Sequence, residues 1–134
     1  MEAPRATYRL QFGPSFGFRQ AEAILDYLQE LGVSHIYASP IFQPRPASPH
    51  GYDGLDPRRL NPELGTEDDF RRLTDALQEK GLQWLQDIVP NHLAFDGRNP
   101  LLADVLRIGR DSPFYEFFDI HWHHPQPHLR GQLR

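Results

Sequence analysis

The sequence predicts an α/β fold in which the strands pair in parallel. Short apolar runs typical of strands alternate with longer segments whose apolar residues recur every three or four positions, as on one face of a helix. A helix, a glycine and a strand follow one another twice, first around Gly32 and again around Gly81. Strands separated by helices pair in parallel through right-handed crossovers. The order β-α-β-loop-α-β therefore predicts a parallel sheet covered by helices.

The first strand is predicted over residues 7–12, where apolar side chains occupy every second position, and Gly13-Pro14 ends it. The first helix is predicted from about Arg19 to Leu31. Gly32 ends this helix, because glycine enters the left-handed conformation at little cost. Its buried face is expected to consist of Ile24, Leu25, Leu28 and Leu31.

Residues 33–39 are rich in β-forming side chains and predict the second strand. The second helix begins after Thr66, because Thr66 and Asp69 have the spacing of a capping pair. This helix ends at Gly81, and residues 82–89 predict the third strand. The buried face of the second helix is expected to consist of Phe70, Leu73, Ala76 and Leu77.

Residues 41–65 are predicted as one long loop, because proline, glycine and aspartate are frequent there. Loops of this length without secondary structure are uncommon in compact domains unless they are functional. In parallel β/α sheets, ligands bind at the C-terminal ends of the strands, where this loop begins. Its polar and aromatic content favours a functional loop.

The composition limits the classes of function. The net charge of −4, with scattered arginines, argues against a nucleic-acid partner, which requires clustered positive charge. The absence of cysteine excludes a disulfide scaffold, a thiolate zinc site and a cysteine nucleophile. The sequence has neither an apolar leader nor the roughly 20 consecutive apolar residues of a membrane span. We therefore expect a cytoplasmic protein without a membrane partner.

Two short motifs place polar side chains after predicted strands. Asp87 lies towards the end of the third strand, and Asn91 and His92 follow four and five residues later. The segment 50–53, His-Gly-Tyr-Asp, lies in the long loop and offers the aromatic face of Tyr52 as a platform for a sugar ring. Taken alone, the first motif fits equally well a strand end whose polar groups satisfy the backbone. The second also fits a tyrosine that merely covers the loop.

Together these motifs resemble the α-amylase family of glycoside hydrolases. The series Asp87-x-x-x-Asn91-His92 is similar to the family's first conserved region, at the end of the third strand of a (β/α)8 TIM barrel, and segment 50–52 is similar to one after the second strand. Within the family, the resemblance is to the maltooligosyl trehalose synthases. That narrower resemblance depends on Tyr8-Arg9-Leu10-Gln11, Tyr37-Ala38-Ser39-Pro40, Asn61-Pro62-Glu63-Leu64-Gly65 and Phe117-Phe118-Asp119-Ile120.

The resemblance implies roles for four substrate-binding residues. His92 is expected to hydrogen-bond the sugar next to the scissile bond, and Tyr52 to stack on the same sugar. His50 and Asp53 are further candidates for substrate binding. The implied ligand is a maltooligosaccharide, an α-1,4-glucan.

Asp87 and Asn91 are expected to support the site, because the family pattern makes Asp87 a structural residue rather than the nucleophile. We expect no cofactor and no metal ion. The histidines near the end of the sequence lack the paired acid or regular spacing of a metal site. These histidines are His121, His123, His124 and His128.

The resemblance also implies that residues 1–134 form the N-terminal portion of a catalytic barrel, with its first three strands and long βα loops. A complete barrel needs about 250 residues, so the sequence is expected to stop before the catalytic carboxylates. Family members convert the reducing-end α-1,4 link of a maltooligosaccharide into an α,α-1,1 link by retaining transglycosylation, in trehalose biosynthesis. We expect the chain alone to be inactive and of low stability, with the rest of the barrel as its protein partner.

Two alternatives remain open at this stage. The chain is part of another α-glucan hydrolase, against which the segment 117–120 argues, or it is a non-catalytic remnant with weak sugar binding. The sequence departs from the family at Gln86, where an aliphatic residue is usual. It also departs at His121 and His123, where the family tends to have aspartate.

Overall fold

The computed structural model describes residues 3–120, 123 and 125–129. The chain forms two compact units, residues 1–94 and residues 95–134. In chain order, the first unit contains β1 (Thr7–Leu10), α1 (Phe18–Ala23), α2 (Leu25–Glu30), β2 (His35–Ala38), β3 (Phe42–Pro44), β4 (Gly54–Leu60), α3 (Glu67–Glu79) and β5 (Gln83–Gln86).

Strands β1, β2 and β5 form a parallel sheet with β2 in the centre. The predicted α/β class and the parallel pairing of three strands are therefore confirmed. In the part of the chain that the structure describes, these strands make an open sheet and not a closed barrel. All three are shorter than predicted, and β5 ends at Gln86 rather than at Val89.

The two faces of the sheet differ in character, because successive side chains of a strand point to opposite sides. Leu10, Ile36 and Ala38 join the hydrophobic core that α1, α2 and α3 cover. On the other face, the register pairs Arg9 with Tyr37 and Tyr37 with Leu85. The Tyr37 and Leu85 side chains are each 37% exposed. The candidate functional site lies on this second face.

The predicted helix at 19–31 is two short helices. Ile24 separates them at φ −105° and ψ 5°, and its N–H bonds to the Ala21 carbonyl three residues back, as in a tighter 3₁₀ turn. Leu31 was expected in the buried stripe, but it is 55% exposed. Leu31 is the C-cap of α2 and therefore lies at the end of the helix rather than in its buried stripe. Gly32, at φ 82°, ends the segment as predicted.

The second helix, α3, begins as predicted. The Thr66 hydroxyl accepts from the Asp69 N–H at 3.1 Å, and the Asp69 carboxylate accepts from the Thr66 N–H at 2.9 Å. Each side chain thus satisfies a backbone donor that the first turn leaves unpaired. Gly81, at φ 69°, follows the helix end.

The prediction of a continuous loop over residues 41–65 was wrong, because β3 and β4 form an antiparallel hairpin there. Both strands contain proline, which sequence patterns treat as a strand breaker. The pairing is irregular on both sides of Gln43, and such bulged edge pairs tolerate proline because they lack a regular ladder. A 3₁₀ turn at Pro62–Leu64 completes the segment.

The second unit contains one helix that the sequence patterns did not reveal, α4 (Pro100–Ile108). The Asn99 side-chain oxygen accepts from the N–H groups of Leu101 and Leu102, which caps this helix. Described residues beyond it form short 3₁₀ turns at Gly109–Asp111, Tyr115–Phe117 and Pro127–Leu129. His121, Trp122 and His124 lie outside the described residues. None of the helices described in this chain has the length and apolarity to cross a membrane.

Candidate functional site

The C-terminal ends of the three parallel strands converge on Asp87, which directly follows β5. The Asp87 N–H donates to the Ala38 carbonyl at 2.9 Å, so the backbone pairing continues one residue beyond the strand. Asp87 comes two residues after Leu85 and therefore lies on the sheet face that carries Arg9 and Tyr37. Parallel register thus brings together side chains that are 50 and 78 positions apart in the sequence.

One oxygen of Asp87, Oδ2, accepts three hydrogen bonds. The Tyr52 hydroxyl donates to it at 2.6 Å, the Tyr37 hydroxyl at 3.1 Å and Arg9 Nη1 at 3.2 Å. Arg9 Nη2 also donates to the Tyr52 hydroxyl oxygen at 2.9 Å. The Arg9 guanidinium carbon lies 4.8 Å from the centre of the Tyr37 ring, within cation–π range. We call these four residues, Arg9, Tyr37, Tyr52 and Asp87, the Asp87 network.

The Asp87 network fixes the charges of its members. The hydrogen bond from Tyr52 is the main cause that lowers the pKa of Asp87, and Arg9 and Tyr37 lower it further. The same bond to Asp87 raises the pKa of Tyr52. Hydrogen bonds to Tyr52 and Asp87 raise the pKa of Arg9. At neutral pH Asp87 is therefore an anion, Arg9 a cation, and Tyr52 keeps the proton that it donates.

This network predicts a dependence of stability on acid. Because the pKa of Asp87 is lower in the folded chain than the roughly 3.9 of an unfolded chain, its contribution is complete above that value and declines as the pH falls through the folded pKa. We expect the difference in unfolding free energy between the wild type and Asp87→Asn to be constant from pH 5 to 7 and to shrink below about pH 4. Urea titrations across pH 3–7 measure it, and a difference that grows in acid would contradict the assignment.

His92 and Asn91 close the site from the segment after β5. Asn91 Nδ2 lies 3.2 Å from His92 Nδ1, and His92 Nε2 lies 3.1 Å from the Tyr52 carbonyl oxygen. An amide nitrogen donates and a carbonyl accepts, so these contacts pair His92 Nδ1 as the acceptor from Asn91 and Nε2 as the donor to Tyr52. His92 therefore connects its own segment to the backbone of Tyr52, and its ring is exposed.

His50 and Asp53 act mainly within their own turn. The Tyr52 N–H donates to His50 Nδ1 at 3.0 Å, while Asp53 accepts a hydrogen bond from the Ser48 hydroxyl. His50 Nδ1 is 4.0 Å from Asp53 Oδ1. This pair is not a hydrogen bond, because the distance is too long and Nδ1 accepts the Tyr52 N–H. Ser48 also accepts the Gly51 N–H at 3.1 Å, so Asp53 stabilises the turn that presents Tyr52.

A cavity of about 240 Å³ adjoins Asp87 and His92. Its walls are mostly apolar and come from the chain between Pro40 and Pro57, which includes the β3–β4 hairpin, and from the segment that follows β5. They include Pro40, Phe42, Gly54, Ile88, Pro90 and Leu93. An apolar cavity with a few convergent polar groups is the usual form of a small-molecule site.

Of the residues predicted from sequence, the structure brings Tyr52, Asp87, Asn91 and His92 into one connected group. It places His50 and Asp53 in the adjoining turn. Gln86, the departure from the family pattern, accepts from Trp84 Nε1 at 3.1 Å and donates to the Ser39 carbonyl at 3.3 Å. Its half-buried amide is therefore satisfied.

Arg9 and Tyr37 were not predicted as site residues. They lie inside predicted strands, in the motifs at residues 8–11 and 37–40 on which the narrower family resemblance depends. The available signal was their alternation with the buried residues Leu10 and Ile36, which assigns them to the other face. Within residues 3–120, 123 and 125–129, no group of three or more histidine, aspartate or glutamate side chains is arranged to hold a metal ion.

The family is established by comparison with known proteins. Residues 22–132 match the family model of the α-amylase catalytic domain, which is well over half of the chain. The chain belongs to the α-amylase catalytic-domain family.

Within this family, the chain is similar to maltooligosyl trehalose synthases, as its motifs predicted. It is 45% identical over 124 residues to a Mycobacterium tuberculosis protein named as a maltooligosyl trehalose synthase, an alignment that spans 87% of this chain and 16% of that protein. A crystal structure of maltooligosyl trehalose synthase superimposes with a TM-score of 0.83 at 46% identity, over 88% of this chain and 16% of that one. For the Arthrobacter ramosus enzyme the TM-score is 0.81 at 37% identity, over 89% and 16%. The chain thus spans about one sixth of the length of these relatives.

Proposed function

We propose that residues 1–134 form the N-terminal portion of the catalytic barrel of a maltooligosyl trehalose synthase and supply part of its glucan-binding site. The observation that carries this proposal is the connected group of Tyr52, Asp87 and His92 at the C-terminal edge of the parallel sheet. This edge is where β/α barrels bind their ligands. The similarity to maltooligosyl trehalose synthases over most of the chain supports the same reading.

In this proposal, Tyr52 offers its ring face to a glucose unit. Both ring nitrogens of His92 contact protein groups, Asn91 and the Tyr52 carbonyl, so a hydrogen bond from His92 to the sugar replaces one of these exposed contacts. Both side chains are held by protein contacts that do not depend on a ligand. Such preorganisation lowers the entropy lost on binding. His50 is a peripheral sugar contact, and Asp53 contributes through the turn that it stabilises.

The reaction would be a retaining transfer within one maltooligosaccharide. The α-1,4 bond to the reducing-end glucose breaks, and the released glucosyl carbon bonds to the anomeric oxygen of the same glucose. Water is not consumed, and a reducing end disappears. Retention requires a carboxylate nucleophile and a carboxylic acid about 5 Å apart.

Asp87 is bound into a network of protein groups. Its Oδ2 accepts three hydrogen bonds, and its lowered pKa excludes a proton donor at neutral pH. Asp56, which lines the cavity, binds the Arg58 guanidinium through both oxygens at 2.9 and 3.0 Å. We therefore propose Asp87 as a support and assign no catalytic residue among the carboxylates of this site.

The test is to incubate the protein that carries this sequence with maltopentaose and to follow both reducing ends and chain length. We expect reducing ends to fall without shorter saccharides. The matched control substrate is maltopentaose reduced to its alditol, which lacks the anomeric oxygen that the transfer needs and should remain unchanged. A rise in reducing ends, with cleavage of both substrates, would identify an α-glucan hydrolase instead. Binding of maltopentaose without any conversion would indicate a non-catalytic sugar-binding protein.

A further inference from the structure

We propose that Arg9 is a positioning residue, which sets the orientation of the Tyr52 ring by holding its phenol oxygen together with Asp87. This inference rests on the proposed function, in which Tyr52 contacts a glucose unit. It adds a residue of β1 in support of Tyr52 and His92, which lie in the segments that follow β2 and β5. Arg9 itself is not proposed to touch the substrate.

The hydroxyl of Tyr52 is committed to protein partners. Its proton goes to Asp87 Oδ2 at 2.6 Å, and its oxygen accepts from Arg9 Nη2 at 2.9 Å. A phenol has one proton to donate, so this group has no further donor for a sugar. What Tyr52 offers to a ligand is therefore its ring face. A phenol hydroxyl bonds close to the plane of its ring, so two partners at the oxygen restrict the rotation of that ring.

Arg9 is itself held in the geometry that this role requires. Nη1 binds Asp87, while Nη2 binds both Tyr52 and the Gln11 side-chain oxygen, the latter at 3.2 Å. The Tyr37 ring lies against the guanidinium on the neighbouring strand. A planar guanidinium donates from several nitrogens in one plane and bridges a carboxylate and a phenol simultaneously. The point charge of lysine does not reproduce this arrangement.

A simpler role for Arg9 is to neutralise Asp87 and stabilise the sheet. The two roles differ in their dependence on the Tyr52 hydroxyl. If Arg9 only neutralises Asp87, its removal has the same effect whether or not Tyr52 has a hydroxyl. If Arg9 positions Tyr52, its removal has little further effect once that hydroxyl is gone.

A double-mutant cycle separates these roles. The affinity for the alditol of maltopentaose, which the proposed reaction leaves unchanged, is measured by calorimetry for the wild type, Arg9→Gln, Tyr52→Phe and the double variant, each in the full protein that carries this sequence. We expect Arg9→Gln to weaken binding about five-fold in the wild type and by less than about two-fold in Tyr52→Phe, in keeping with the coupling usual for residues in contact. Arg9→Lys should weaken binding about as much as Arg9→Gln, because lysine keeps the charge but lacks the planar set of nitrogen donors.

The matched control is Arg71→Gln, which removes an exposed arginine paired with Asp68 on α3 and should leave affinity unchanged. Equal losses on Arg9→Gln in both backgrounds, or full rescue by lysine, would overturn the inference. If the wild type binds neither maltopentaose nor its alditol, the proposed function fails. The thermal midpoints of the same four proteins then decide about Arg9: non-additive shifts support its contact with the Tyr52 hydroxyl, and additive shifts refute it.

Discussion

Replacing Asp87 with asparagine is expected to lower the unfolding free energy by about 1–2 kcal/mol. The substitution keeps the shape of the side chain but removes the charge that three donors share. Its amide oxygen accepts weaker, neutral hydrogen bonds, and the positive charge of Arg9 is left without its anion. This loss of stability is at the lower end for networks that contain a buried charge. The Arg9 side chain is 38% exposed, so water screens its charge.

The same substitution should weaken binding of the maltopentaose alditol, in the protein that carries this sequence, by about ten-fold, or about 1.4 kcal/mol. The physical reason is that Asp87 anchors the hydroxyl of Tyr52, and a ring free to move loses entropy when a sugar orders it. Urea denaturation gives the stability change, and calorimetric titration gives the affinity.

The matched control is Asp68→Asn, which neutralises an exposed aspartate that is paired with Arg71 on α3. Exposed ion pairs of this kind contribute little, so we expect a change of less than about 0.5 kcal/mol and unaltered affinity. If Asp87→Asn behaved like this control, the Asp87 network would not stabilise the site.

Sequence patterns predicted the features that depend on neighbouring residues and missed those that depend on distant ones. The ends of the first helical segment and of α3 were correct, because Gly32, Gly81 and the pair Thr66 and Asp69 determine backbone conformation within a few residues. The hairpin at β3 and β4 was missed, because its prolines are local signals against a strand. Only the irregular long-range pairing shows why they are tolerated.

The candidate site divides in the same way. Tyr52, Asp87 and His92 were accessible from sequence, because each lies in a short motif at or after a strand end. Arg9 and Tyr37 depend on register: they meet Asp87 only because β1, β2 and β5 pair in parallel with their second faces aligned. Local patterns assign a residue to a face, but they do not say which residues of other strands lie beside it.

The interruption between α1 and α2 was also missed. A single 3₁₀ turn at Ile24 separates the two helices, and no proline or glycine in 18–31 marks it. The exposure of Leu31 has a different cause, because Leu28 and Leu31 both follow that turn. Leu31 is the C-cap of α2, and the spacing of three residues predicts a shared buried face only inside a helix.

Replacing Gly17 with alanine is expected to lower the unfolding free energy by about 3 kcal/mol. Gly17 precedes α1, where a Cβ atom would lie 2.2 Å from the Leu64 carbonyl oxygen and 2.9 Å from its carbonyl carbon. These are backbone atoms, so no side-chain rotation relieves the overlap. Leu64 is itself buried in the core, and α1 or the 3₁₀ turn at Pro62–Leu64 must move to admit the methyl group.

Gly13 provides the matched control, because a Cβ at that position meets no atom within 4 Å and its φ is not in the left-handed range. Gly13→Ala should change the unfolding free energy by no more than about 0.5 kcal/mol, with any gain coming from the reduced entropy of the unfolded chain. Urea titrations of both variants measure the difference. Equal stability of the two variants would show that the close approach of Gly17 to Leu64 does not constrain the packing of α1. A loss of stability in Gly17→Ala alone would show that this backbone contact fixes the position of α1 against the end of segment 41–65, the segment that carries Tyr52.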